Sequence, residues 1–230
     1  MVQLTDLHFG MMTHPKLLEA AVNAANDAQP DVTVLTGDFV ARGRIGIRQM
    51  GPALGRIKGR KLAVLGNHDH WVDAVAVREA LEGVGIEVLM NQWTWVEGRE
   101  GRLPVVGIDD AVTGHEDIDK ACADVALPAV CLSHDPRAAP RLWAKGIGLV
   151  LSGHTHGGQI HVGEPTRRLW HSLLATPHLS GWYREGEGQV YVCPGVGAAV
   201  FPWRIGRPTH REVAILEISG GEVRDPQEIR

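Results

Sequence analysis

Cysteine is scarce in this sequence of 230 residues, which contains only Cys122, Cys131 and Cys193. They are odd in number, and no two of them form a Cys-x-x-Cys pair. The sequence therefore predicts free buried thiols in a reducing compartment rather than a disulfide framework.

Long apolar runs are also lacking. No segment approaches the ~18–20 residues that a membrane-spanning helix needs, and the first residues, Met1-Val-Gln-Leu-Thr-Asp6, have neither the basic nor the hydrophobic region of a signal peptide. We therefore expect a cytoplasmic location, with peripheral contact to a membrane as an alternative. Because Met1 directly precedes a strand-like segment, a leader removed before it would leave no trace in this sequence.

Neither sign of charge is in large excess, since 23 lysines and arginines stand against 27 acidic residues for a net charge of −4. Such a balance gives no electrostatic footprint for nucleic acid, so we expect no nucleic-acid partner. Apolar residues make up 44% of the chain, which is ordinary for a globular protein that buries a sizeable core. With no repeat or long linker, residues 1–230 are predicted to form a single domain.

Histidine is abundant, with 12 residues, and this excess is a first sign of metal or acid–base chemistry. Short apolar runs alternate with helix-like segments, which is the rhythm of an α/β protein. Four helices are predicted, over Pro15–Gln29, Ile45–Lys58, Asp73–Glu82 and Arg137–Lys145.

Six strand-like runs lie between the helices, and each ends in polar residues that could bind a ligand. These residues are Asp6, Asp38, Asn67-His68-Asp69, Asp109-Asp110, His134 and His154. Ligands bind at the carboxyl ends of strands in open α/β sheets. The six runs therefore predict one site along one edge of the core.

Four short motifs supply most of the candidate ligands: Asp6-x-His8, Gly37-Asp38, Gly66-Asn-His-Asp69 and Gly153-His-Thr-His156. Taken singly, the first three are also compatible with solvated side chains or with turns. Together with His134 they offer seven nitrogen and oxygen donors and no thiolate, namely Asp6, His8, Asp38, Asn67, His134, His154 and His156. This donor set suits Mn²⁺, Fe or Zn²⁺. Seven donors are too many for one ion but fit two ions that share a carboxylate.

The order of these blocks, from Asp6 to His156, resembles the calcineurin-like metallophosphoesterase family. The string Leu151-Ser-Gly-His-Thr-His-Gly-Gly-Gln-Ile160 is similar to a bacterial phosphodiesterase subgroup that includes enzymes cleaving UDP-2,3-diacylglucosamine, as are the stretches at residues 107–110, 181–184 and 207–213. The resemblance implies an α/β fold, a four-layer αββα sandwich of two mixed β-sheets flanked by helices.

The resemblance also implies a role for each motif residue. Asp6, His8 and His156 would bind one divalent ion. Asn67, His134 and His154 would bind a second, and Asp38 would bridge the two. Mn²⁺ is the expected metal, with Fe and Zn²⁺ as alternatives, and the ions would acidify a bridging water that attacks phosphorus. His68 would protonate the departing oxygen, and Asp69 would orient the ring of His68.

The remaining polar residues receive lesser roles. Asp109 and Asp110 are expected to act behind the ligands or structurally, and His161 is a further candidate for the site. Six other histidines are expected in surface positions or loops, with His14 at a helix start: His14, His70, His115, His171, His178 and His210.

The substrate is expected to be a phosphodiester or pyrophosphate, and by subgroup resemblance a lipid-linked nucleotide such as UDP-2,3-diacylglucosamine. Residues 167–211 are predicted to form the substrate-facing wall, with Phe201, Trp203 and Arg204 binding substrate, whereas Trp170 and Trp182 are equally compatible with core positions. A phosphomonoesterase or a cyclic-nucleotide phosphodiesterase is the alternative. A non-catalytic scaffold would be expected to lack His68 or a ligand, and a metal-storage protein would have no need of His68-Asp69.

Overall fold

The computed structural model describes residues 1–10, 13–99, 101–199, 201–219 and 222–224. Two β-sheets face each other, and helices cover the outer side of each. The prediction of one domain over residues 1–230 extends to residues outside these ranges and stays a prediction.

The first sheet has five strands in the order β11-β1-β2-β3-β4. Strands β1 to β4 are parallel, and β11 runs antiparallel to β1. Their bounds are β1 Val2–Leu4, β2 Val32–Thr36, β3 Arg60–Val64, β4 Glu87–Val88 and β11 Ala214–Ile215. Helices α1 (Pro15–Asp27), α2 (Ile45–Leu54) and α3 (Asn67–Glu82) pack on its outer face, where their apolar stripes are buried.

The second sheet has six strands in the order β5-β6-β7-β8-β10-β9, and its four inner strands run parallel between two antiparallel edges. Their bounds are β5 Gln92–Gly98, β6 Gly101–Gly107, β7 Val130–Leu132, β8 Leu149–Ser152, β9 Gly181–Glu185 and β10 Gly188–Val192. The short helices α4 (Ile118–Ala121) and α5 (Ala139–Trp143) cover its outer face. Strands β12 (Glu217–Ser219) and β13 (Glu222–Arg224) form a separate hairpin.

The inner core lies between the sheets. Alternate residues of the first sheet, such as Val34 and Leu62, pack against Val105, Val130 and Leu151 of the second. Because both faces of the second sheet are buried, its inner strands β7 and β8 read as nearly continuous apolar runs rather than as alternating patterns. The predicted four-layer αββα sandwich of two mixed sheets is confirmed.

The helix boundaries differ from the predicted ones. Helix α2 ends at Leu54, before Gly55, and α1 ends at Asp27. Helix α3 begins at Asn67, six residues earlier than predicted, because the polar run after β3 forms its first turn. The predicted helix at 137–145 is a 3₁₀ turn at Pro136–Ala138 followed by α5.

Two helices were not predicted from the sequence, the four-residue α4 and the longer α6. Helix α6 (Glu164–Leu174) begins with Pro165 in its first turn and has no buried residue. A proline at that position favours a helix start, and the spacing of Leu169 and Leu173 is helical, so the sequence did contain a signal.

Candidate functional site

The seven candidate ligands follow strands of both sheets. Asp6 and His8 follow β1, Asp38 follows β2, and Asn67 follows β3 in the first sheet. His134 follows β7, and His154 and His156 follow β8 in the second. All are buried except His154, which is half-buried. Both sheets therefore place these side chains at one edge of the sandwich, as the sequence predicts.

The side chains form two clusters joined by Asp38. One donor atom each from Asp6, His8 and His156 lie within 4.8 Å of one another, and the same holds for Asp38, His134 and His154. The carboxylate of Asp38 is 3.5 Å from His8 Nε2 through Oδ2 and 3.3 Å from His134 Nε2 through Oδ1. The oxygen Oδ1 of Asn67 is 3.2 Å from His134 Nε2, which adds an amide donor to the second cluster.

The backbone at these positions is strained. Five of the seven candidates, Asp6, His8, Asp38, His154 and His156, have φ between 48° and 70°. Left-handed backbone is uncommon for residues other than glycine, and it persists where the surrounding structure enforces it, typically at functional sites. The strain at five donors therefore points to a function for this cluster that packing alone does not require.

Two glycines let the backbone approach the carboxylates closely. A Cβ atom on Gly66 would overlap Asp38 Oδ1, and one on Gly153 would overlap Asp6 Oδ2 and Thr5 Oγ1. No side chain fits at either position without displacing a candidate ligand.

Hydrogen bonds fix the orientation of two imidazole rings. His134 Nδ1 lies 2.7 Å from the carbonyl oxygen of Thr36 and donates to it, which leaves Nε2 facing Asp38 and Asn67. His68 Nδ1 lies 2.8 Å from the carbonyl oxygen of Ala41 and donates to it. A ring that donates from one nitrogen presents the other to a metal or a substrate.

Asp69 does not have the role predicted for it. Its Oδ1 accepts hydrogen bonds from the backbone N–H groups of Phe39 (2.9 Å) and Val40 (3.1 Å), and its Oδ2 accepts from Gly66 N (2.9 Å). The carboxylate thus caps the start of α3 and holds the loop after β2, while Ala41 orients His68. Sequence reasoning could not find Ala41, because the group that acts is a backbone carbonyl.

The electrostatics of the cluster fit a bound cation. Burial lowers the pKa of His8 to about 3 and that of His154 to about 4, so both rings are neutral and able to ligate at neutral pH. Burial raises the pKa of Asp6 to about 6 and that of Asp69 to about 7. Burial acts to raise the pKa of Asp38 as well, but His134, His8 and His68 outweigh it and hold that pKa well below the usual range.

The donor atoms of the cluster are therefore of the types that bind divalent metal ions. It offers carboxylate, amide and neutral imidazole donors in a buried setting, a set that suits Mn²⁺, Fe or Zn²⁺. The ring nitrogen His8 Nδ1 is buried and has no hydrogen-bond partner among the described residues. His8 can hold a metal through Nε2, the nitrogen that lies nearest Asp6, Asp38 and His156.

Arg204 also departs from its predicted role. Its guanidinium donates to the carbonyl oxygens of Gly197, Pro194 and Thr209 and, at 2.8 Å, to His156 Nδ1. With its donors committed to internal acceptors, Arg204 holds His156 in place instead of binding substrate. The neighbouring side chains of Phe201 and Trp203 are exposed, at 42% and 65%, with their rings stacked and 6.4 Å apart.

His70 was expected at the surface, but its side chain is only 8% exposed. Its Nε2 lies 2.8 Å from Asp109 Oδ1, and its ring stacks on that of His115 at 4.3 Å between centroids. Asp109 therefore supports the first turn of α3, which contains Asn67 and His68. His14 caps the start of α1, as predicted, by accepting from Lys16 N. His161 is not a member of the candidate metal groups found among the described residues, and it pairs through its backbone with Ile205.

Two tryptophans of the predicted substrate wall are half-buried. Trp182 packs against the inner core from edge strand β9, and Trp170 of α6 donates through its indole N–H to the carbonyl oxygen of Ile160 (2.8 Å). Within the described ranges, none of the helices is both long enough and apolar enough to span a bilayer.

Known proteins share both the sequence and the fold. The family model described as calcineurin-like phosphoesterase matches residues 1–158. A Danio rerio protein named "Transmembrane protein with metallophosphoesterase domain" is 34% identical over 89% of the chain, and the chain spans half the length of that relative. The Escherichia coli (strain K12) phosphodiesterase YaeI is 29% identical over 94% of the chain and 80% of its own length.

Among solved structures, a 5′-nucleotidase precursor from Thermus thermophilus matches 98% of the chain and 52% of its own, with a TM-score of 0.57 and 16% identity. A likeness at that identity shows a common fold only. The family match over more than half of the sequence goes further: the chain belongs to the calcineurin-like phosphoesterase family.

Proposed function

We propose that this protein hydrolyses a phosphodiester or pyrophosphate bond with the help of two divalent cations. The observation that carries the proposal is the pair of buried donor clusters that share Asp38, with His68 beside them. Asp6, His8 and His156 would hold one cation. Asn67, His134 and His154 would hold the other, with Asp38 between them. The phosphodiesterase YaeI supports a diester rather than a monoester as substrate.

When bound, two divalent cations lower the pKa of a water molecule and neutralise charge on phosphoryl oxygens. The protein's own contribution to bond cleavage is His68. Because its Nδ1–H is held by the carbonyl oxygen of Ala41, its Nε2 is the nitrogen that can give a proton to the departing oxygen. That ring lies against His8, with 4.8 Å between centroids, so the donor stands at the edge of the first cluster.

Metal analysis and hydrolysis of bis(p-nitrophenyl) phosphate test this proposal together. We expect two divalent ions per chain, loss of hydrolysis with a chelator, and recovery with Mn²⁺. Asp38→Asn should lose both ions and turnover, because the carboxylate shared by the clusters loses its charge. Asp119→Asn, at an exposed site on α4, is the control and should keep both. One ion or none at full activity would contradict the two-metal proposal.

A panel of substrates separates the alternatives. Hydrolysis of p-nitrophenyl phosphate or cyclic AMP in preference to bis(p-nitrophenyl) phosphate and UDP-2,3-diacylglucosamine would favour the phosphomonoesterase or cyclic-nucleotide function instead.

We further propose that the substrate is lipid-linked and that the protein contacts a membrane peripherally. An apolar surface supports this proposal, formed by exposed side chains of α6 and of the segments around Ile160 and Ile205. It consists of Val162, Leu169, Leu173, Phe201, Trp203 and Ile205. The two segments are joined by a bridge between Ile160 and Ile205 and by a hydrogen bond from Gln159 to the carbonyl oxygen of Phe201.

Charge supports the same surface. Apart from Arg204, whose donors are committed to internal acceptors, residues 160–211 contain five arginines and three glutamates, whereas the whole chain has a net charge of −4. A local positive excess beside exposed aromatic and aliphatic side chains suits an anionic lipid surface. The Danio rerio relative named as a transmembrane protein also favours action near a membrane.

Replacing Phe201 and Trp203 together by Ser tests the lipid-linked substrate. We expect a higher KM for UDP-2,3-diacylglucosamine, with little change in bis(p-nitrophenyl) phosphate hydrolysis or melting temperature, because both side chains are exposed. Ile45→Ser, an exposed apolar residue on α2, serves as the control. Equal losses on both substrates, or a large fall in melting temperature, would contradict the proposal.

A further inference from the structure

A small pocket lies beside His68, and the reaction described above does not use its other walls. Its volume is about 310 Å³, near the lower end of the range for small-molecule sites. It is lined by Ala41, Arg42, Gly43, His68, Trp71 and Val72. Two chain segments therefore form it: the loop after β2 and the first turn of α3.

Trp71 forms the aromatic wall of this pocket. Its side chain is 63% exposed, and its ring lies 5.0 Å from that of His68, with the two planes inclined by 54°. An exposed indole contributes little to the core, yet this one stands directly against the proposed proton donor. Its position favours contact with the group that receives the proton from His68.

The helix geometry holds Trp71 in this position. Asp73 has φ 178° and ψ 88°, which interrupts α3 directly after the turn that bears Trp71 and Val72. The side chain of Asp73 accepts a hydrogen bond from Ala76 N (3.1 Å), which starts the rest of the helix. The same carboxylate forms an ion pair with Arg44 of the opposite loop. The two walls of the pocket are thus tied together by side chains that do not face His68.

The opposite wall is small and positively charged. Ala41 and Gly43 leave space, since a Cβ atom on Gly43 would meet nothing within 4 Å. Arg42 is exposed, and within the part of the chain that the structure describes its guanidinium makes no hydrogen bond or ion pair. A free guanidinium opposite an indole face suits a ligand that has both a flat ring and a negative charge.

We propose that this pocket binds the nucleobase of a nucleotide leaving group, stacked on Trp71, with Arg42 contacting its phosphate. The inference deepens the proposed function and rests on it, because the pocket adjoins the residue that protonates the leaving group. In the reaction, the oxygen of water bonds to phosphorus and the P–O bond to the nucleotide breaks. The departing oxygen takes the proton of His68, and the proton lost by water passes to solvent. The substrate class is then a diester or pyrophosphate that releases a nucleoside or a nucleoside monophosphate.

Binding of two product analogues tests the pocket without turnover. Calorimetric titration of the Mn²⁺-loaded protein compares adenosine 5′-monophosphate with ribose 5-phosphate, which lacks only the base. Stacking of one base on an aromatic side chain strengthens binding by about 5- to 150-fold. We therefore expect adenosine 5′-monophosphate to bind at least about fivefold more tightly, and Trp71→Ala to abolish most of this difference. Trp71→Phe should retain most of it, whereas Arg42→Ala should weaken both ligands.

Trp95→Ala is the matched control, because this tryptophan lies on β5 in the second sheet and its ring is covered by Arg102 at 4.2 Å. It should leave the preference for the base unchanged. Equal affinities for the two ligands in the unmodified protein, or the same loss in Trp95→Ala as in Trp71→Ala, would overturn the inference. Melting temperatures of the variants verify folding, and Trp71→Phe keeps the test decisive if Trp71→Ala is unstable.

Hydrolysis of bis(p-nitrophenyl) phosphate by the unmodified protein separates the two ways of failing. If the protein hydrolyses this diester but does not prefer the ligand with a base, the nucleobase pocket is wrong and the proposed function stands. If the protein binds two ions but hydrolyses none of the diesters or pyrophosphates in the substrate panel, the proposed function fails whatever the binding shows.

Discussion

His68 is held by a backbone carbonyl, so its proton-donating nitrogen does not depend on a partner side chain. We expect His68→Ala to keep both metals and to slow the hydrolysis of diesters with alkyl leaving groups by ~10²–10⁴-fold, the usual size of general acid catalysis. Diesters of p-nitrophenol should lose far less, because that leaving group needs little protonation. Rates for a series of leaving groups test this prediction. If the logarithm of the rate depends on the pKa of the leaving group with the same slope in His68→Ala as in the unmodified protein, the donor role is contradicted.

Asp6 makes metal binding and stability depend on pH. Burial raises its pKa from 3.8 to about 6, so the folded protein favours the protonated form. The stability gained from this proton is complete below pH ~4 and is lost as the pH rises through about 6. A divalent cation offsets the cost of the buried charge above that range. We therefore expect Mn²⁺ to raise the melting temperature, relative to chelator, much more at pH 8 than at pH 5.

At the level of single residues, the sequence predicted most of the candidate site. Spacing of carboxylates, amide and imidazoles after apolar runs was enough to find the seven side chains that the structure brings together. The spacing did not reveal the roles of Asp69 and Arg204. Asp69 accepts hydrogen bonds from the backbone of the loop after β2, and Arg204 donates to His156 from a distant loop. Nor could residue types alone find the left-handed φ values, which only the assembled loops impose.

Helix α3 depends on an ion pair that the sequence did not predict. Burial acts to lower the pKa of His70, but its hydrogen bond to Asp109 and the charges of Asp109, Asp110 and Asp69 outweigh burial and raise it. The contribution to stability is therefore complete below pH ~6.5 and is lost as the pH rises through the raised pKa.

Asp109→Asn tests this ion pair. We expect a fall in melting temperature that is larger at pH 6 than at pH 9, because only protonated His70 gains from the carboxylate. For a chain of this size ~1 kcal/mol corresponds to about 2–4 °C. Asp119→Asn removes a surface carboxylate paired with Lys145 and should change the melting temperature little at either pH. Equal shifts at both pH values in Asp109→Asn would indicate a packing effect only.

Elements with a buried stripe were predicted with nearly correct bounds, as α1 illustrates. The first turn of α3 was missed because its residues face the candidate site and its neighbours rather than the core, so they show no apolar period. Helix α6 was missed because it buries no residue. Apolar periodicity in a sequence indicates which residues are buried in the core. The first turn of α3 and helix α6 are positioned by other contacts, so this periodicity did not predict them.

At the scale of the whole molecule, the site lies where the ends of the two sheets meet. Gly153 directly follows β8 of the second sheet and lies against Thr5 and Asp6 of the first. We expect Gly153→Ala to lower the melting temperature by several degrees and to abolish binding of the ion near Asp6. Gly148→Ala, at the other end of β8, has nothing within 4 Å of the added methyl group and should have little effect on either. Thermal unfolding and metal analysis of both variants make this comparison.

The size of a cavity does not identify the site in this fold. One cavity, of about 1070 Å³, lies at the opposite ends of the strands, beside Val2, Val32, Val130 and Leu149. It contains none of the seven candidate ligands. The site was located by its carboxylate, amide and imidazole donors, which the sequence shows, and not by cavity volume.

The five candidate ligands with positive φ also determine how the sequence would change if its activity were no longer under selection. Glycine accepts positive φ at lower cost than aspartate or histidine does. Without the need to bind a ligand, positions 6, 8, 38, 154 and 156 could therefore change to glycine, and the backbone strain at these positions would be relieved. Asp and His at these five positions therefore cost the fold stability, as expected where the donor atoms, rather than the backbone preference, decide the residue.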